Sequence, residues 1–200
     1  MRQYVVCGHD APLEPGFPLD DLAGGAGRLD LLCRCVGAGL FLSHGIREDA
    51  RVHLVLQDEL TVSFDGATVR NARPDERTLA GLVDAALEAA GDAVGHRPVE
   101  SSPGVTVRKR GLEPTLADVG RDRTVCWLHP GGEPAAAASP PADPVFVLSD
   151  HRNFEDAERA VLEDAADRRV SLGPRAIHAD HTIAVAHNYL DTGGYDPEAY

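Results

Sequence analysis

Lysine is nearly absent from this sequence. Lys109 is its one representative, and every other basic side chain is an arginine. Long apolar runs are missing too: no stretch of about 18 apolar residues occurs, which excludes a membrane-spanning helix. The opening MRQYVVCGHDAP has too short an apolar segment for a secretory signal, so a cytoplasmic protein is expected. Neither GxGxxG after the first strand nor GxxxxGK followed by Ser or Thr is present. That disfavours a Rossmann dinucleotide site and a P-loop nucleotide site. The cysteines Cys7, Cys33, Cys35 and Cys126 form no CxxC pair. They read as reduced, mostly buried thiols rather than a disulfide framework or a zinc site.

What is present is a chain of 200 residues, 43% hydrophobic, enough for one α/β domain or a core with a modest accessory lobe. Thirty-two acidic residues against 19 basic ones give a net charge of −13. An acidic, Asp-rich, lysine-poor surface keeps a protein hydrated in molar salt, which points to an extreme halophile. Against that background net acidity does not exclude a nucleic-acid partner, and only the local arginine pattern carries information. High salt also weakens phosphate contacts, so recognition must lean on shape, stacking and hydrogen bonds.

Along the chain, RQYVVC predicts a buried strand, followed by a Gly/Pro/Asp-rich loop. Leu29, Leu32, Cys33, Val36, Leu40 and Phe41 recur at helical spacing. VHLVLQ and LTVSF form an expected hairpin. PDERTLAGLVDAALEAA reads as a helix with Pro74 in its first turn, and ESSPGVTVRKRG as a loop with a short strand. TVCWLH and PVFVLSDH are strands on either side of an Ala/Pro/Gly-rich segment, residues 130–143, expected to be a mobile loop. A helix capped by Asn153, the strand RRVSLGP and a last helix, ADHTIAVAHNYLD with Asp180 as its cap, complete the order. This second half predicts a parallel α/β sheet, whose ligands bind beyond the carboxyl ends of the strands.

Three groups of residues carry chemistry. Gly173 and Pro174 end a buried strand in a turn that exposes backbone to a ligand, though an ordinary turn would look the same. Arg28, Asp30 and Arg34 sit on the first helix with Arg47 and Arg51 nearby, a phosphate-binding patch or a solvated face of paired charges. His178 and His181 form HxxH with His187 beyond, but the spacing and the missing glutamate differ from HExxH. No metal is therefore expected, although a zinc hydrolase stays open as an alternative. The last helix carries more apolar residues (Ile183, Val185, Tyr189, Leu190) than one buried stripe needs, which points to a partner surface.

Several blocks together carry a resemblance: GHDAP, AGRLDLLCRCVGAGLFLSHGIREDARVHLVL, ESSPGV, PVFVLSDH and VSLGPRAIHADHTIAVAHNYLD. The chain resembles the archaeal tRNA (pseudouridine-54 N1)-methyltransferases, the TrmY family of the SPOUT superfamily, in a haloarchaeal version. The resemblance implies one domain over residues 1–200. Its fold is α/β, a SPOUT-type trefoil-knotted parallel sheet flanked by helices, with the cofactor-binding knot over about residues 123–195. It implies a homodimer with each active site near the interface. S-adenosyl-L-methionine is expected against Leu128, Ser149, Leu172, Gly173, Pro174, Ile177 and His181. The sequence departs from relatives at two of these, with Ser149 in place of glycine and His181 in place of cysteine. The implied reaction methylates N1 of pseudouridine in the T-loop of tRNA. Asp30 is the candidate general base, and Arg28, Arg34 and Arg47 are candidates to hold phosphates. Two alternatives remain beside it: a SPOUT enzyme acting on pseudouridine in ribosomal RNA, and a non-catalytic RNA-binding protein of the same fold.

Overall fold

The computed structural model describes residues 1–199. In chain order its regular elements are β1 (Arg2–Gly8), α1 (Leu29–Leu40), β2 (Phe41–Leu42), β3 (Gly45–Ile46), β4 (Ala50–Leu56), β5 (Leu60–Asp65) and α2 (Glu76–Ala90). Next come β6 (Val99–Ser102), β7 (Val105–Arg108), α3 (Leu112–Val119), β8 (Thr124–Pro134), β9 (Pro144–Ser149), α4 (Asp156–Ala165), β10 (Arg168–Ser171) and α5 (Ala179–Asp191). Eight strands make one sheet in the order β10-β8-β9-β1-β4-β5-β7-β6. The five from β10 to β4 are parallel; β5, β7 and β6 continue the sheet in antiparallel fashion. The expected parallel α/β sheet is present, with an antiparallel margin. Among the described residues no helix is long and apolar enough to cross a membrane.

Alternation of side chains explains the layers. On β1, Tyr4 and Val6 point into the core beneath α1, α2 and α5, while Val5 and Cys7 enter the core beneath α3 and α4. A strand buried on both faces must be apolar throughout, as RQYVVC is from Tyr4 onward. All four cysteines are free and buried.

Several details differ from the sequence reading, each for a local reason. Asp75 caps α2 by accepting the Thr78 N–H at 2.7 Å, so Pro74 precedes the cap instead of entering the first turn. Glu155, not Asn153, caps α4, because a capping box with Glu158 satisfies two orphan N–H groups at once. His178 stands at the cap position of α5, and Asp180 lies in the first turn, where Arg34 draws its carboxylate sideways. ESSPGVTVR folds as the two-strand hairpin β6–β7. α3 was not expected: Gly111 and Pro114 suggest a loop, yet Leu112, Leu116 and Val119 share one buried face, and Pro is tolerated in a first turn. The alanine-rich segment begins as strand, since β8 runs on to Pro134, followed by a 3₁₀ turn with Ala135 buried. On α5, Ile183 and Tyr189 are fully used by the chain's own core, leaving Val185 and Leu190 half-exposed.

Candidate active site

A cavity of about 500 Å³ opens at the carboxyl ends of β8, β9 and β10, where parallel sheets receive ligands. Three segments wall it, and each has a structural cause.

The first is an interruption of β8. Arg168 and Arg169 of β10 pair with Cys126 and Trp127, but the next two residues, Val170 and Ser171, pair with Glu133 and Pro134. Leu128–Gly132 are therefore thrown out of the ladder, and Leu128, His129 and Pro130 line the cavity. Gly132 closes this excursion because a Cβ there would stand 2.7 Å from backbone atoms of Arg169 and Val170. Trp127, the one tryptophan of the chain, lies at the root, with the Arg169 guanidinium 4.5 Å above its ring. Its buried indole N–H has no hydrogen-bond partner among the described residues.

The second wall is the turn after β9, from Ser149 to Phe154. The Ser149 hydroxyl donates to the carbonyl of Arg152 within the turn. Asp150 is the turn's anchor. Its Oδ2 accepts the His9 N–H at 2.9 Å, its Oδ1 accepts the Arg152 N–H at 2.8 Å, and Oδ1 also faces His9 Nδ1 at 2.9 Å. The other ring nitrogen of His9 stands 3.0 Å from Glu158 Oε2. Only the imidazolium can donate to both carboxylates at once. Burial opposes its charge, but the bonds to Glu158 and Asp150 outweigh burial and raise the His9 pKa. GHDAP is thus clasped to the SDH turn through a charged histidine.

The third wall follows β10. Leu172, Gly173 and Ile177 line it, with Arg175, Ala179 and Thr182. A Cβ on Gly173 would meet nothing within 4 Å, so this stretch of backbone borders open space. Of the residues expected at the cofactor, Leu128, Ser149, Leu172, Gly173 and Ile177 border the cavity; Pro174 and His181 are not in its wall. The His181 side chain is 69% exposed, with its ring 6.1 Å from that of His178. His187 plays a different part. It is buried between α5 and α1 and bonds Gly39 O at 3.0 Å, with its pKa lowered to about 4, chiefly by burial and then by Arg47 and Arg2.

Beside the cavity, Arg28, Asp30 and Arg34 do come together. Arg28 holds Asp30 through two bonds (3.0 and 3.2 Å), and Arg34 Nη1 adds a third at 2.9 Å. Arg34 also reaches Glu76 at 3.0 Å and Asp180 at 3.2 Å, bridging α1, α2 and α5. Burial would raise the Asp30 pKa, but its two arginines more than offset this and hold it below the usual carboxylate range. Asp180 Oδ1 is buried without a hydrogen-bond partner among the described residues, one position from Ala179 in the cavity wall. Arg47 stands elsewhere, paired with Asp191 at 2.6 Å. Trp127, Asp150 and Arg175 were not reached by sequence reasoning. Trp127 and Asp150 fall within the predicted strands TVCWLH and PVFVLSDH, near their carboxyl ends, and that position was their one available signal.

Comparison with known proteins decides the family. Residues 1–195 match the family model of SAM-dependent RNA methyltransferases. The chain belongs to this family. The tRNA (pseudouridine(54)-N(1))-methyltransferase of Haloarcula marismortui is 61% identical over 196 residues, covering 98% of this chain and 99% of that relative. Its counterpart in Haloferax volcanii is 59% identical, covering 98% of each chain. Among solved structures, Archaeoglobus fulgidus Nep1 bound to S-adenosylhomocysteine superposes with a TM-score of 0.61 over 91% of this chain and 93% of that one. At 15% identity that likeness speaks for the fold of this family member.

Proposed function

We infer that this chain methylates N1 of pseudouridine 54 in tRNA, with S-adenosyl-L-methionine as methyl donor. The observation that carries the reading is the identity of 61% over 98% of the chain to an enzyme of that name, joined to a cavity at the carboxyl ends of the parallel strands. The residues fit the donor. The cavity is of small-molecule size, its glycine segment leaves backbone open to a ligand, and the unpaired Trp127 indole N–H requires an acceptor. When bound, the donor supplies an electrophilic methyl group on a sulfonium.

Leu128, Ser149, Leu172, Gly173 and Ile177 hold that donor in this reading, with Pro174 next in the same turn and His181 in the first turn of α5 beside it. The chain's remaining task is to present N1 in line and to manage its proton. Pseudouridine has an N1–H because its glycosidic bond runs through carbon, and methylation requires that proton to leave. Asp30 is the proposed acceptor. Its lowered pKa makes it a weak base but a permanently charged hydrogen-bond acceptor, so it orients N1–H and stabilises the positive charge that develops there. Arg28, Arg34 and Arg47 are proposed to meet tRNA phosphates, Arg34 by giving up Glu76 and Arg47 by giving up Asp191, while Arg28 and Arg34 keep Asp30. Most of the remaining rate comes from orienting two bound reactants.

The wider reading includes a trefoil knot over about residues 123–195 of one domain, a homodimer, a cytoplasmic location and a halophilic host. The knot rests on the resemblance of the C-terminal blocks PVFVLSDH and VSLGPRAIHADHTIAVAHNYLD to that family. Val185 and Leu190 of α5, left half-exposed by the chain's own core, support a second copy against this helix. Relatives from Haloarcula and Haloferax support the salt adaptation. The experiment is methylation of tRNA carrying either pseudouridine or uridine at the target position. Activity on the pseudouridine form alone is expected, because N1 of uridine is blocked by the sugar; methylation of the uridine form would overturn the reading.

A further inference from the structure

A second cavity, of about 400 Å³, lies on the sheet face between β1, β4, β5 and β7, closed at one side by α3. It shares no residue with the first. Its wall is polar where a sheet face packed by a helix would be apolar. Gln3 and His53 form its floor, linked at 2.9 Å, with Ser63 bonded to the other ring nitrogen of His53 at 2.8 Å. Burial, then the nearby Arg110, Arg51 and Arg108, lower the His53 pKa to about 3, so the floor is uncharged.

Around this floor stand Arg51, Arg108, Arg110 and Arg123, facing Asp65, Glu100 and Asp118. The carboxylates do not satisfy the cations. One oxygen, Asp118 Oδ2, serves both Arg108 at 2.6 Å and Arg110 at 2.8 Å. Asp65 Oδ2 holds Arg51 at 2.6 Å while its Oδ1 accepts the Ala67 N–H, and one Glu100 oxygen accepts the Gly104 N–H at 3.2 Å. Arg123 has no carboxylate and donates to the carbonyl of Val119 at 3.1 Å. The Arg110 side chain is only 5% exposed, yet its Nε, like that of Arg123, is buried with no acceptor among the described residues. A guanidinium donor taken out of water without an acceptor is costly. Four guanidinium groups against three carboxylates at one polar cavity, in a chain of net charge −13, make this cavity complementary to an anion. Planar guanidinium groups match tetrahedral oxyanions, which can take several N–H bonds at once.

We propose that this cavity is a phosphate-binding site, in which Arg51, Arg108, Arg110 and Arg123 converge on one phosphate group. Asp118 and Asp65 act as placeholders that hold the guanidinium planes apart. The phosphate has two chemical sources, a backbone phosphodiester of an RNA chain or a free phosphate ion; only the first rests on the methyltransferase reading.

The test follows the arginine Nε–H signals by NMR in ¹⁵N-labelled protein, adding potassium phosphate at constant ionic strength held with potassium chloride. Saturable movement of the Arg110 and Arg123 signals is expected, with Arg51→Gln and Arg108→Gln each weakening phosphate at least about tenfold while circular dichroism stays that of the folded protein. Both substitutions are at more exposed positions than Arg110, so neither depends on tolerance of a buried change. If tRNA moves the same signals and Arg51→Gln lowers the salt slope of tRNA binding by about 1, the source is the RNA backbone. Movement with phosphate but not with tRNA supports the site with free phosphate as its ligand. No movement up to tens of millimolar phosphate, equal movement with chloride alone, or wild-type affinity in both variants overturns the proposal. S-adenosyl-L-methionine affinity and tRNA methylation are measured in parallel, so failure of the methyltransferase reading is seen separately.

Discussion

The cavity at the carboxyl ends of β8–β10 and the arginine–carboxylate cluster beside it follow opposite rules. In the cavity, backbone is left uncovered: the register break of β8 expels Leu128–Gly132, Gly173 borders open space and the Trp127 N–H is unpaired. In the cluster, both guanidinium groups already have carboxylate partners, and Arg34 alone bridges Asp30, Glu76 and Asp180. The first region is preformed to receive a ligand. The second is preformed to stay put, and in the proposed reading RNA must trade against bonds already made. Such an exchange costs little in affinity only if the outgoing carboxylates stay solvated, which favours the half-exposed Glu76 as the partner given up.

Substitutions in the two regions should therefore fail differently. Gly173→Val should have the largest effect. No neighbour lies within 4 Å of the new Cβ, so the fold and its melting temperature stay near wild type. A branched side chain beside the cavity should weaken S-adenosyl-L-methionine by about 10³-fold or more, measured by calorimetry, or about 4 kcal/mol. Unchanged affinity would remove this turn from the donor site. Asp30→Asn comes next, with turnover reduced by about 10²-fold or more and tRNA affinity changed far less. If both stay within a few-fold of wild type, Asp30 is only the centre of a charge cluster. Arg34→Ala should act mainly on stability. It strands the largely buried Asp180 and leaves Asp30 to Arg28 alone, and should cost about 1–3 kcal/mol in denaturant unfolding, with weaker tRNA binding besides. A loss of tRNA binding with no loss of stability would show that the bridge across the helices is idle.

The same contrast explains what could be read from sequence. Strands buried on both faces, such as β1 and β9, announce themselves as unbroken apolar runs, and α5 by its spacing. The three segments lining the cavity were placed because ligand sites follow strand ends. The register break in β8 was not legible, because it depends on which strand pairs beside it: TVCWLHPGGEP does not encode that β10 skips from Trp127 to Glu133. Caps were misplaced where tertiary partners competed, as when Arg34 captures Asp180. α3 was hidden by Gly111 and Pro114, though its Leu112, Leu116, Val119 stripe was present. The Asp30–Arg34 pair follows from its i,i+4 spacing, but Asp180 as a further partner of Arg34 was out of reach, since the two are 146 positions apart.

Histidines separate the regions by pH. His53 and His187 are buried neutral, with pKa values lowered to about 3 and about 4. The unfolded chain takes up protons near the ordinary imidazole pKa of about 6.5, while the fold refuses them until far lower. Stability should therefore fall as pH drops below about 6.5 towards 4, visible in melting temperature. His187→Gln should flatten part of that fall, because a glutamine amide can still donate to Gly39 O without titrating. An unaltered acid limb would mean that carboxylates alone set it.

His9 should give the smallest effect, and with the opposite sign. Its folded pKa is raised, so the clasp is fully made below the unfolded value of about 6.5 and is lost as pH rises through the folded value. Above that, the neutral ring can donate to Asp150 or Glu158 but not to both, and one carboxylate turns its lone pairs on a ring nitrogen that no longer carries hydrogen. The consequence is local. Amide exchange at His9 and Arg152, whose N–H groups bond Asp150, should quicken on the alkaline side beyond the intrinsic pH dependence of exchange. S-adenosyl-L-methionine should weaken over the same interval, because the SDH turn walls the cavity proposed for it. His9→Gln keeps one bond and cannot titrate, so its donor affinity should already be lower at neutral pH and should lose the alkaline decline. A wild-type profile in His9→Gln would leave the clasp without a part in donor binding and shift attention to Arg152, whose own pairing with Asp10 at 2.8 Å holds the same two segments together.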